Sequence, residues 1–132
     1  MYAFTSMPPM PPRESDVTSR AHSVREVISY VEHVKDPVVC LAPEGMDNPG
    51  GALAVPPSGV GRFILQLSNR GMIIHPAGVW ELEGRLCIGF GVPYRLSLEA
   101  NLSVHDRDNC AAKVVMQSIA DLLPTYLRGD YS

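Results

Sequence analysis

Apolar residues recur along the chain at two different periods, and the switches between them mark out its elements. From 16 to 35, Val17, Ala21, Val24, Ile28 and Val31 fall at alternating spacings of four and three. That is the single stripe of an amphipathic helix. Ser15 or Asp16 supplies its N-cap, and Asp36-Pro37 stops it, because the residue ahead of a proline is pushed out of helical geometry. The run PVVCLA at 37–42 is apolar without a break and partly β-branched, which predicts a strand buried on both faces. PEGMDNPGGALAVPPS at 43–58 holds four prolines and three glycines, so a long loop is expected, of the kind that is usually functional. A second helix follows over 59–71, with Ser58 as N-cap, Val60, Phe63, Ile64 and Leu67 as its stripe, and Gly71 as the C′ residue. Residues 72–75 form another apolar run, predicted as a second buried strand ended by Pro76. The segments 78–82 and 85–90 predict a hairpin around Glu83-Gly84. In its second arm Leu86, Ile88 and Phe90 alternate with Cys87 and Gly89, giving one face of large side chains. Beyond a loop at 91–107, a last helix is expected to start near Asp108 with Ala111, Val115, Ile119 and Leu122 as its stripe. Pro124 ends it, and Gly129 closes the segment. The order predicts an α/β fold of three layers, a mixed β-sheet flanked by helices. Loops beyond the carboxyl ends of such strands carry sites, and the 43–58 loop occupies such a position.

Composition narrows the classes of function. The 132 residues have room for one domain, read as a proline-rich arm at 1–14 and a globular part at 15–132. With 45% hydrophobic residues the chain can build a real core. A net charge of −3 without a basic block excludes a nucleic-acid partner, which needs a Lys/Arg footprint. Cys40, Cys87 and Cys110 are odd in number and form no CxxC, which fits free thiols in a reducing cytoplasm. The opening MYAFTSMPPMPPRESD lacks the charged start and continuous apolar core of a signal peptide. No run approaches the ~20 apolar residues of a membrane-spanning helix, so contact with lipid is expected only from the surface. Pro8, Pro9, Pro11 and Pro12 predict an extended arm, with a PxxP ligand as the alternative.

Pro43-Glu44-Gly45, placed directly after an apolar strand, resembles the Phe-Pro-Glu-Gly-Thr-Arg block of the glycerophospholipid (1-acyl-glycerol-3-phosphate) acyltransferases. IIHPAGV at 73–79 is similar to the family's last block, an apolar strand ending in proline. GFGVPY at 89–94 and IADLLPTYLRGDY at 119–131 resemble the strand and C-terminal helix that follow it. The resemblance spans residues 15–131 in order. It implies the C-terminal part of an acyltransferase domain, whose complete members move an acyl chain from acyl-CoA or acyl-carrier protein, as co-substrate, to a glycerolipid hydroxyl. It further implies Glu44 and Gly45 at the acceptor site, supported by Pro43 and Pro76. Arg62, at a helix start where free N–H groups favour an anion, is the candidate phosphate contact. No metal or resident cofactor is expected. The expected partners are a lipid or acyl acceptor and the inner membrane surface, touched peripherally, with self-association of an incomplete domain.

The departures from the family change the expectation. Its chemistry needs His-x-x-x-x-Asp, the histidine as general base and the aspartate as its orienter. Five residues beyond His22, His33, His75 and His105 stand Val27, Val38, Trp80 and Cys110, so no catalytic residue is assigned. Met46-Asp47 replaces Thr-Arg, putting a negative charge where the family's phosphate-binding fork would sit. The chain therefore reads as the back half of the domain, truncated or naturally short. The alternative is a non-catalytic lipid, anion or protein-binding module on the same scaffold. Glu44 would then satisfy loop amides, and the glycines at 59 and 61 would allow close packing. His75 reads as a strand-end histidine, and His105-Asp106-Arg107-Asp108 as an aspartate-rich helix start rather than a metal site. Trp80 either packs across the hairpin or lines an acyl groove. If the resemblance holds, Glu44 should face a concavity bordered by the start of the 59–71 helix and by Pro76.

Overall fold

A computed structural model describes residues 17–45 and 48–132. The proline-rich arm, the Ser15/Asp16 cap and the Met46-Asp47 pair lie outside the described residues. The described chain is a small mixed α/β fold, with α1 (Val17–His33), α2 (Val60–Asn69), β1 (Ala77–Leu82), β2 (Arg85–Phe90), α3 (Val104–Ala120) and 3₁₀ turns at Thr125–Leu127 and Gly129–Tyr131. Its backbone contacts divide it into two units, Met1–Cys40 and Leu41–Ser132.

In the first unit, α1 covers the predicted stripe, with Val24 and Ile28 half-buried and Val31 buried. The helix ends where Val34 donates to the Tyr30 carbonyl at 3.0 Å, and Asp36 then takes a φ of 54°. Aspartate is among the few side chains that tolerate that left-handed geometry. The strand expected over 37–42 does not form. Val38 is 74% exposed, and its N–H finds only the Tyr30 hydroxyl, at 3.4 Å. An apolar run becomes a strand only where a neighbour completes its ladder, and none does so among the described residues.

The second unit is built on α2 and α3. Ile64, Leu96, Ala111 and Val115 form its core, with Val60, Leu65, Tyr94 and Ile119 packed around them. Gly61 lets the helices cross closely: a β-carbon there would run into the Asp108 carbonyl and crowd the Ala112 nitrogen. The buried Ser68 hydroxyl ties in the 94–98 segment, donating to the Leu96 carbonyl at 3.2 Å and accepting from its N–H at 3.0 Å. Gly71, at φ 88°, closes α2 as its C′ residue, with its N–H on the Ser68 carbonyl at 2.9 Å. The 72–75 run, expected as a strand, makes only a single bridge, Ile74 to Tyr94. Ile73 is exposed.

The hairpin forms as predicted. β1 and β2 are antiparallel, with Val79 opposite Ile88 and Ala77 opposite Phe90. Glu83 and Gly84 both have positive φ, 51° and 72°, the requirement of a two-residue turn that matches strand twist. Gly78 and Gly89 face the end of α3, where a β-carbon would come within 3.0 Å and 3.7 Å of Leu122. The opposite face is bare and largely apolar: Val79, Ile88 and Phe90 are 56%, 52% and 76% exposed, with the exposed Glu81 on the same face. Among the described residues the sheet has these two strands alone, so the mixed sheet expected from sequence is here an antiparallel ribbon.

α3 begins earlier than the expected start near Asp108. Ser103 caps it, accepting from the Asp106 N–H at 3.1 Å and donating to the Asp106 carboxylate at 2.6 Å. This cap moves Asp108 from the first turn into the body of the helix, facing α2.

Candidate functional site

Pro43-Glu44-Gly45 forms a tight turn, with the Gly45 N–H on the Ala42 carbonyl at 3.2 Å. Gly45 has φ 67°, a conformation that glycine adopts without a β-carbon clash. The half-buried Glu44 carboxylate turns back onto its own loop. Its Oε2 accepts from Asn48 Nδ2 at 2.6 Å and from the Ala54 N–H at 3.1 Å, while Asn48 also donates to the Ala52 carbonyl at 3.1 Å. Glu44 thus satisfies loop donors. Charge-assisted bonds of this kind are about twice as strong as neutral ones.

The start of α2 carries the second candidate. Gly59, at φ 96°, stands in the N-cap position, so Ser58 is not the cap expected from sequence. The cap comes from α3. Asp108 accepts from the Gly59 N–H at 2.7 Å, from the Arg62 N–H at 2.8 Å and from the Ser58 hydroxyl at 3.4 Å. The side chain is buried, at 5% exposure. Burial works against ionisation, but the two N–H groups, the Arg62 charge and the Ser58 hydroxyl outweigh it, holding the carboxyl below its ordinary value. The N–H groups that would cradle an incoming anion are therefore taken by the protein's own carboxylate. Arg62 is exposed beside it.

Pro76 is buried at the edge of a shallow apolar hollow of about 670 Å³, shared with Phe90, Val92, Tyr94, Ser118 and Leu122. Tyr94 and Ser118 hydroxyls meet at 3.0 Å on its floor, and Ser118 donates onward to the Val115 carbonyl at 2.7 Å. Burial raises the Tyr94 phenol, partly opposed by Ser118. A second hollow of about 470 Å³ lies along α3, bounded by Pro57, Ser58, Asp108, Lys113, Gln117 and Tyr131. Ser58, just ahead of α2, borders one hollow and Pro76 the other. Glu44 lines neither of these two hollows.

His75 is exposed, and His105 pairs with Asn109 at 3.0 Å on the surface of α3. The Trp80 ring lies over Gly89, across the hairpin. Among the described residues no cluster of three His, Cys, Asp or Glu side chains can hold a metal ion. None of their helices is long and apolar enough to cross a membrane. Sequence reasoning missed Asp108 as the α2 cap and Asn48 as the partner of Glu44. The available signal for the first was Ser103-x-x-Asp106, a capping pattern that would have set the helix start and turned Asp108 inward.

Compared with known proteins, the chain matches no family model, no curated protein and no solved structure.

Proposed function

We propose that this chain is an acyltransferase-like scaffold segment without a catalytic base. It is related to enzymes that transfer an acyl chain from acyl-CoA or acyl-carrier protein to a glycerolipid hydroxyl. The observation that carries the reading is the hairpin: a sheet fragment with one face packed on α3 and the other apolar and uncovered. A strand pair whose outer face carries Val79, Leu86, Ile88 and Phe90, with Glu81 as its one charge, suits the interior of a larger three-layer sheet, where further strands and helices cover it. The Pro-Glu-Gly turn and the proline-ended 72–76 segment occur in the order such a domain uses. Four histidines without a partner aspartate at the required spacing leave no general base.

Purified chain supplied with acyl-CoA and a lysophosphatidic acid acceptor should give no acyl transfer above the uncatalysed background. Product formation at ordinary enzyme rates, on the order of 1 s⁻¹ or faster, would end this reading.

A second reading, a non-catalytic binding module on the same scaffold, is favoured by the way the chain occupies its own candidate groups. Glu44 serves Asn48 and Ala54, and Asp108 fills the α2 N-terminus. Phosphate titration followed through the Gly59 and Arg62 amide resonances tests this occupation. The module without an anion site leaves both unmoved, and saturable shifts at these amides return the site to phosphate.

A further inference from the structure

The C-terminal residues lie across the segment that answers Glu44, and their fit is close. The Leu53 N–H donates to the Leu127 carbonyl at 2.9 Å, one residue before the Ala54 N–H that Glu44 accepts. Gly129, at φ 54°, lies so close over Leu53 that a β-carbon would enter the Leu53 carbonyl. A Leu127 methyl lies 3.8 Å from where a Gly51 β-carbon would stand. The strap is tied to α3 and its end: Gln117 Nε2 donates to the Tyr131 carbonyl at 3.3 Å, and Arg128 Nε to the Leu123 carbonyl at 3.1 Å. Burial, then the charges of Asp130 and Glu44, push the Tyr131 phenol up.

We propose that residues 127–131 act as a clasp that holds Leu53 and Ala54 in place against Glu44, making Gly129 a positioning residue for that carboxylate. Leu53 and Ala54 lie in a coil without a ladder. Their register is set from two sides, by Glu44 on one and by the Leu127 carbonyl on the other. Removing the β-carbon-free contact at 129 forces the strap off Leu53, and the Ala54 N–H then loses the alignment that its bond to Glu44 requires. The clasp itself is a matter of backbone geometry; its consequence for an acceptor at Glu44 rests on the function proposed above.

Amide hydrogen exchange on the full chain reads this without any ligand. In Gly129→Val, exchange at Leu53 and Ala54 should quicken about tenfold or more, the worth of roughly one hydrogen bond. Phe63 in α2 and Tyr94 in the bridge to Ile74 should keep their wild-type rates. Unchanged protection at Leu53 and Ala54 in the folded variant overturns the clasp. Where Gly129→Val does not fold, Gln117→Ala removes the tether to Tyr131 and should quicken the same two amides several-fold. Wild-type rates there overturn it equally. A double variant separates positioning from general loosening. Once Glu44→Ala has removed the acceptor, Gly129→Val should add little at Ala54, because both act on one bond. Full additivity would mean that Gly129 does not act through Glu44. Either exchange result leaves the acyl-transfer assay untouched, so the two proposals fail separately.

Discussion

The α2–α3 pair and the β1–β2 hairpin belong to one unit, yet they are finished to different degrees. Between the helices every demand is met internally. Gly61 gives room for close crossing, Asp108 answers the N–H groups at the start of α2, and Ser68 closes on both backbone groups of Leu96. No buried side-chain nitrogen or oxygen is left without a partner among the described residues. In the hairpin only the inner face is satisfied. Its outer face presents large apolar side chains to solvent, and a two-stranded ribbon is marginal without further cover. The Glu44 and Asp108 carboxylates are thus held by the chain's own groups, while the hairpin's outer face is largely apolar and exposed.

The largest expected effect separates the two regions by stability. Gly61→Val drives a branched side chain into the α3 backbone, and should cost about 3 kcal/mol or more, or abolish folding. At the hairpin tip a β-carbon on Gly84 meets open space. Gly84→Ala therefore costs only the strain of a positive φ, on the order of 1 kcal/mol. Urea unfolding of the two variants checks the ranking, and equal losses would break the contrast.

Next in size is Asp108→Ala, which strands the Gly59 and Arg62 N–H groups in a buried place. A loss of about 2 kcal/mol is expected in the same assay. Its pH dependence has a definite sign. The folded carboxyl sits below its ordinary value of 3.8, so its contribution is complete above that value and is lost as pH falls through the lowered folded value. Acid unfolding curves of wild type and Asp108→Asn should therefore converge below pH 3.8 and stay apart above it. Curves that remain parallel through the acid range would show that Asp108 does not stabilise the fold in this way.

Much of this architecture was legible in the sequence, and the failures share one cause. The stripe Val60, Phe63, Ile64 and Leu67, the C′ glycine at 71 and the Glu83-Gly84 turn are local signals, and each element formed where its signal lay. The runs at 37–42 and 72–75 carried an equally clear apolar signal, but a strand also needs a neighbour, which no local pattern supplies. Asp108 acts on residues 46 and 49 positions earlier in the chain. Periodicity does not report that distance. For the site, sequence offered Glu44 as an acceptor-site residue, with satisfying loop amides or simple solvation as its structural alternative. It did not foresee that the partners would be Asn48 and Ala54, or that Pro76 and Ser58 would border different hollows.

The smallest change in stability should come from the hairpin's outer face, and there the effect moves to association. Ile88→Thr combined with Phe90→Thr alters side chains already in solvent, so the unfolding free energy should shift by no more than about 0.5 kcal/mol for each. Exposed apolar patches and free strand edges favour pairing between copies. The function proposed above reads this face as one that further strands and helices cover. Sedimentation equilibrium across a concentration series, wild type against the double variant, tests it most directly. The expected result is a wild-type mass that climbs with concentration and a variant that stays monomeric. A wild-type chain that remains a compact monomer at high concentration would contradict the claim.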